Sequence, residues 1–442
     1  MKLALIGQDI PELLASMLAD LCFAHKADAE VWILEKNEAM RELLARYGRA
    51  VTDKAGCGRV ELSANREEVL RDADCVIYAG DLMASSRFRM DQEALSPPED
   101  AAQEAGLRDQ ARPLGGIGGL MHTLRQGEVI AELCEEMRGC CPDALVITLG
   151  APVGRTVSLF ERGGFRAAGL TRGWRKGPGG LEWIAKKLRV KPEHLEVQAA
   201  GVPYFCFFTE LRDRRTGRNL LPAVWGMAAS GELGRLARRW LDTLEAVPVG
   251  NLPEHASLMA AQEDYVPDPN PVLSEPVELR KERILRMNTV GEKGLADPEG
   301  QVAQLRLLTR APSVRPVQLA LALLQGRDLE ADAVVRRNGR AIVNLPPEAI
   351  VEAPLYLKNG VEIPPELTLP GALADCCTEI DEAARLAAQA ALGDRTALRE
   401  CLETDPALDG LDRLYVQDLV DRMIQLHSDI LTRWGDDFEE DL

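Results

Sequence analysis

Apolar and polar positions follow two periods in this chain, and its first third keeps switching between them. KLALIG (2–7) is a short apolar run that ends at Gly7, the pattern of a buried strand. PELLASMLADLCF (11–23) then carries apolar residues at helical spacing, with Pro11 suited to a first helical turn. AEVWILEKN (29–37) predicts a second strand ending at the acid Glu35, and NEAMRELLARYG predicts a helix closed by Gly48. ELS (61–63) starts a third strand, NREEVLRDA is a short helix, and DCVIYAGD (74–81) is a fourth strand. EVIAELCEEMRGCCP (128–142) is a helix, and DALVITLGAP (143–152) is a strand leading into a loop. Strands that alternate with helices imply a parallel sheet covered on both faces. Residues 1–165 are therefore expected to form a doubly wound, Rossmann-like α/β domain.

The order changes beyond this point. RAAGLTRGW (166–174) predicts a strand and a loop, GGLEWIAKKLRV a helix, and HLEVQAAGVPYFCFFTELRD a pair of strands. RRTGRN has the polar, Gly-bearing character of a hairpin-type turn. Residues 253–276 are rich in Pro, Asp and Asn and predict a long loop, and residues 299–326 are helical in part. AIVNLPPEAIVEAPLYLKNGVEIPP (341–365) carries strand and turn signals, and 369–432 is mostly amphipathic helix. Residues 166–442 thus read as a second, α+β domain.

Composition narrows the function classes. The chain has 442 residues, enough for two domains, and a net charge of −18 from 52 basic and 70 acidic residues. That balance argues against a broad nucleic-acid or anionic-membrane surface. No run approaches the length of a bilayer span. The opening residues read as a first strand and not as a secretory signal, so a cytoplasmic setting with reduced thiols is the simpler expectation for the ten cysteines.

In a doubly wound domain a dinucleotide lies across the carboxyl ends of the strands. The turn after the first strand here is Gly7-Gln8-Asp9-Ile10, with one glycine and an acid where phosphate would sit. Glu35 ends the second strand, where an acid can bind a ribose diol, and a strand-end surface acid is the plain alternative. Gly7, Gln8, Glu35, Gly80 and Gly150 are the candidate cofactor contacts, for NAD. GGIGG (115–119) is the densest glycine cluster, and its Gly118 and Gly119 are expected in a ligand-facing loop.

Several stretches, in order, resemble the family 4 glycoside hydrolases. They are NREEVLRDADCVIYAG, GGIGGLMHTLR, LVITLGAPVGRTV, GLTRGWRKGPGGLEWIAKKL, AAGVPYFCFFTELRDRRTGRNLLP, GRAIVNLPPEAIVEAPLYL and GDRTALRECLETDPAL. The resemblance implies a first domain and a C-terminal domain of the lactate/malate dehydrogenase type, a bound NAD and a homodimer or homotetramer. It also implies a small sugar or glycoside substrate, in many members 6-phosphorylated and in some a uronide. The implied chemistry oxidises C3 of the sugar, removes the proton at C2 with a base, eliminates the glycosidic oxygen, adds water and returns the hydride. A divalent metal, usually manganese, assists in the family.

The departures from the family pattern fall on that chemistry. The resemblance implies a metal-binding Cys followed by His or Asp where this chain has Thr171 and Arg172. It implies Gly-x-Asn-His, with the His on the metal, where this chain has Gly201-Val202-Pro203-Tyr204. Ala151 stands for the Asn of the family's Asn-Pro loop. Thr171, Arg172 and Tyr204 make a poor ligand set for a hard divalent ion, so no metal is expected there. Tyr204, Arg172 and His255 are the catalytic candidates, with Gly118, Gly119, Ala151, Thr171 and Arg172 at the substrate. Packing is the plain alternative for Tyr204, and pairing with Glu210 or Asp213 the alternative for Arg172. Three readings follow: a family 4 glycosidase with a rearranged site, an inactive sugar- or nucleotide-binding paralogue, or a metal-independent lyase or oxidoreductase acting on an acidic sugar.

Overall fold

A computed structural model describes residues 1–7, 10–80, 84–95, 114–171, 180–250, 258–259, 305 and 315–434. Its strands are β1 Lys2–Gly7, β2 Glu30–Leu34, β3 Arg59–Ser63, β4 Cys75–Ala79, β5 Leu145–Thr148, β6 Ala167–Gly169, β7 Leu195–Val202, β8 Phe205–Asp213, β9 Leu329–Arg337, β10 Ile350–Lys358 and β11 Val361–Ile363. The helices of the first half are α1 Ile10–Leu18, α2 Glu38–Ala55, α3 Arg66–Leu70, α4 Ala84–Ala94, α5 Gly116–Cys140 and α6 Val153–Arg162. Those of the second are α7 Leu181–Leu188, α8 Leu221–Ala229, α9 Arg235–Leu244, α10 Pro316–Gln325, α11 Gly371–Ala390, α12 Arg395–Thr404 and α13 Arg413–Leu426.

The first six strands lie in the order β3-β2-β1-β4-β5-β6 and pair in parallel. This is the doubly wound order in which ligands bind where the connections diverge, between β1 and β4. The expected Rossmann-like architecture and the α+β second half are both present. One continuous sheet carries them: β6 pairs antiparallel with β9, and the sheet runs on through β10 and β7 to β8.

The apolar periods account for the layers. Leu3 and Leu5 of β1 face one side with Leu14 and Met17 of α1, whereas Ala4 and Ile6 face the other with α5 and α6. Alternate strand residues point to opposite faces, so a strand buried on both sides must be apolar throughout. Asn37 and Asn65 cap α2 and α3 by accepting from Met40 N and Glu67 N. The C-terminal helices are fastened to this half by a buried polar cluster. Arg125 of α5 donates twice to Asp91 of α4, at 3.0 and 2.6 Å, and His427 Nε2 meets the same carboxylate at 2.7 Å.

Two expectations need correcting. GGIGG is not a loop over a ligand but the entry into α5, where Gly118 and Gly119 are buried. Asp405 fixes that entry by accepting from Gly116 N at 3.1 Å, and Gly119 packs against Leu114 and Arg155. Tyr204 is not within a strand: the two strands of 195–213 join at Pro203-Tyr204, while RRTGRN turns the chain after β8 as expected, Asp213 N donating to Arg218 O at 2.9 Å. Pro203 suits the first central position of such a turn. Tyr204 takes the second with φ +67°.

Candidate functional site

The crevice at the carboxyl ends of the strands has two ends. At the first, Gly7 closes β1 with φ +148°, and a Cβ there would lie 2.3 Å from the carbonyl carbon of Ala79. Only glycine lets β1 run this close to β4. Glu35 follows β2, half-buried, with Oε1 accepting from Asn37 N at 2.8 Å. Its backbone is held as well, the N–H donating to Ser63 O at 3.0 Å. Gly80 and Gly150 follow β4 and β5. Gln126 links Gly80 to the buried Tyr78, donating to the Gly80 carbonyl at 3.3 Å and accepting from the Tyr78 hydroxyl at 2.7 Å. Gln8 lies outside the described residues.

The second end gathers at the tips of β6 and the β7–β8 hairpin. Sheet register brings it together: Gly169 pairs with Val335, Val335 with Glu352, and Glu352 with Gly201. These four residues form one row across four strands. Thr171 lies just beyond one end of the row and Tyr204 just beyond the other. Glu352, only 1% exposed, lies between them. Its Oε1 accepts from the Thr171 hydroxyl, and its Oε2 accepts from Tyr204 N at 3.3 Å. The carboxylate therefore holds the left-handed backbone of Tyr204, a conformation that costs a non-glycine residue on the order of 1 kcal/mol or more.

That backbone aims the phenol at α6. The Tyr204 oxygen accepts from Val153 N at 3.3 Å, in the first turn of the helix, where unpaired N–H groups favour negative charge. Ala151 carries the cis peptide to Pro152, and its carbonyl meets His122 Nε2 at 2.8 Å. A cavity of about 30 Å³ lies beside the Tyr204 ring, lined by Pro152, Arg155, Ser158, Asp381 and Asp405 among others. Burial raises the Asp405 carboxyl, with Arg155 opposing the rise from 3.9 Å away.

A divalent ion does not fit the Thr171–Tyr204 corner. The Thr171 hydroxyl and the Tyr204 amide both spend their hydrogens on Glu352, and the phenol oxygen faces an N–H. Among the described residues no three His, Cys, Asp or Glu side chains cluster as metal ligands. Arg172 and His255 lie outside the described residues, as does Tyr265. Cys206, just past the turn, is buried, and its thiol donates to Val202 O at 3.4 Å. Glu210 pairs with Arg212, and Asp213 with Arg215, as strand-end ion pairs. Glu352 is the residue that sequence reasoning missed. Its signal was one acid inside the apolar run AIVEAPLYL.

The strand order, the Gly7 approach and the strand-end acid define a dinucleotide-type α/β protein whose sheet is extended by an antiparallel half. The chain belongs to the family 4 glycosyl hydrolases: residues 2–169 match the family model and residues 199–408 match the model of its C-terminal domain. Among curated relatives, "Probable 6-phospho-beta-glucosidase" of Bacillus subtilis (strain 168) is 26% identical over 183 residues, 40% of this chain and 39% of that protein. The chain thus aligns with about two fifths of that relative's length. Alpha-galactosidase of Rhizobium meliloti (strain 1021) is 23% identical over 335 residues, 72% of this chain and 67% of that protein. Among solved structures, 6-phospho-alpha-glucosidase from gut microorganisms, in complex with NAD and Mn2+, superposes with a TM-score of 0.69 at 16% identity. That superposition covers 97% of this chain and 98% of the other. Among the described residues no helix is long and apolar enough to cross a membrane.

Proposed function

We propose that this chain acts on a small O-glycoside, a 6-phospho-glycoside or a uronide, through a bound NAD and without the divalent ion of its relatives. The observation that carries this reading is the difference between the two ends of the crevice. The Gly7 approach and the Glu35 acid suit a dinucleotide, whereas the metal corner is filled by the Thr171–Glu352–Tyr204 lattice. The relatives' names support a sugar phosphate and NAD as ligands.

Gly7 would let the pyrophosphate approach the β1 end, and Glu35 would accept from the adenosine ribose hydroxyls. NAD supplies hydride acceptance and return at C3 of the sugar. The protein's part is to bind, orient and polarise. The first turn of α6 offers N–H groups toward a developing oxyanion, and a fixed cation at Arg172 would add to the same field. The Tyr204 hydroxyl can accept from Val153 N and donate its own hydrogen at once. His255 is a further catalytic candidate, and no residue is assigned as the base.

A second reading is a non-hydrolytic binding protein. The placement of the Tyr204 ring favours it, since the ring lies beside Pro152 with its oxygen already held by Val153 N. Two measurements separate the readings. Protein fluorescence under NAD titration, with metal analysis of the purified protein, is expected to show saturable NAD binding and no stoichiometric metal. Solvent-deuterium exchange at C2 of candidate glycosides with NAD bound then reports proton removal. Exchange supports the enzyme; bound NAD with no exchange supports the binding protein; no NAD binding sinks both as stated.

A further inference from the structure

The nucleotide half carries two cysteines that no step above uses. Cys22 lies in a π-helical turn, Ala19–Ala24, that extends α1, and it is 2% exposed. Cys57 lies between α2 and β3 and is half-buried. The backbone explains why they meet. Gly56 ends α2 with φ +66° and Gly58 follows with φ +76°. Two left-handed residues flanking Cys57 turn the chain sharply, which glycine alone permits at low cost. The turn folds Cys57 back beneath α1.

The two thiols bracket each other there. Cys22 Sγ donates to the Cys57 carbonyl at 3.4 Å, and Cys57 Sγ donates to the Cys22 carbonyl at 3.7 Å. Burial, reinforced by the Cys57 thiol, pushes the Cys22 thiol up to about 12. Cys22 is therefore a poor first nucleophile, and the more exposed Cys57 is the sulfur that meets a reagent. The sequence-adjacent pairs Cys140–Cys141 and Cys376–Cys377 are worse placed. Neighbouring Cα atoms are about 3.8 Å apart, below the span a relaxed disulfide adopts.

We propose that Cys22 and Cys57 form an oxidant-reactive dithiol site that closes to a disulfide on exposure to peroxide. The Cys57 sulfur attacks one peroxide oxygen and the O–O bond breaks, giving a sulfenic acid and one water. The Cys22 sulfur then attacks the Cys57 sulfur. The S–O bond breaks, and the hydroxyl leaves with the Cys22 proton as a second water. The dithiol loses two electrons and the peroxide gains them. The new bond ties the end of α1 to the end of α2, the two helices on either side of β2 and its Glu35.

The test treats the full chain with hydrogen peroxide, blocks remaining thiols with iodoacetamide and maps the peptides by mass spectrometry. The expected result is a Cys22–Cys57 cross-link that dithiothreitol reverses. It should form at least about tenfold faster than any other thiol is lost. Cys22→Ser should leave Cys57 as a sulfenic acid that dimedone traps, and Cys57→Ser should leave Cys22 unmodified. A circular-dichroism melt before mapping confirms that each sample is folded. Over-oxidation of Cys57 to sulfinic acid in the wild type, a faster cross-link elsewhere, or no thiol loss in folded protein would each overturn the proposal.

Discussion

The two ends of the crevice are made of different material. The β1–β4 end is mostly backbone: the closeness of β1 to β4, the lack of a side chain at Gly7, and a strand-end acid whose own amide is pinned to Ser63. The other end turns on one side chain, the buried Glu352 carboxylate of β10, which accepts from the Thr171 hydroxyl beyond β6 and from the Tyr204 amide at the hairpin tip. A backbone site tolerates almost any sequence that keeps the fold, but it tolerates no Cβ at the contact. A side-chain site can be rebuilt by a few substitutions while the sheet beneath it is unchanged. One chain can in this way keep the family's sheet while carrying different side chains at its corner.

The sharpest way to break the comparison is at Gly7. Gly7→Val places atoms inside the Ala79 backbone, which cannot move without unpairing β1 from β4. Denaturant unfolding should show a loss of about 3 kcal/mol or more. A loss under about 1 kcal/mol would mean that the approach is not a backbone constraint. Next in size is Glu352. Glu352→Ala strands the Thr171 hydroxyl and the Tyr204 amide in a buried place, at a cost of about 3 kcal/mol. Glu352→Gln keeps one acceptor and should cost about half of that by the same measure. Equal losses for the two variants would show that the carboxylate does not hold the hairpin tip.

A pH effect comes third. Burial lifts the Asp20 carboxyl to about 6, against the pull of Arg315. The folded state then binds the proton more tightly than the unfolded chain does. Asp20 therefore weakens the fold above its folded value, and stability returns as pH falls toward the unfolded value near 4. The gain between pH 7 and pH 5 should be on the order of 1–2 kcal/mol. Asp20→Asn should flatten that slope in melts run at both pH values, and an unchanged slope would assign the effect to another group.

Glu35→Ala tests the β1–β4 end directly. Losing a charged acceptor for the ribose should weaken NAD binding about tenfold to a hundredfold by fluorescence titration, with little change in melting. An unaltered affinity would return Glu35 to a surface role. The smallest effect belongs to Arg212→Ala at the β8 end. Its pair with Glu210 is largely exposed, so stability should fall by no more than about 0.5 kcal/mol, with NAD affinity unchanged.

The sequence by itself determined the strand–helix alternation of the first half, the identity of the buried strands and the family. Each follows from local patterning: runs of apolar residues bounded by turns, and motifs kept in order. It also singled out Thr171 and Tyr204, which the structure brings to one carboxylate. It misread GGIGG, because whether glycines open a loop or enter a helix depends on what packs on them, here Asp405 from far along the chain. It placed Tyr204 on a strand, since the left-handed turn is sustained by Glu352, 148 residues away. Glu352 itself stayed hidden for the same reason. An acid in an apolar strand has no chemistry until strand register sets it between two donors, and register across four strands belongs to the tertiary fold.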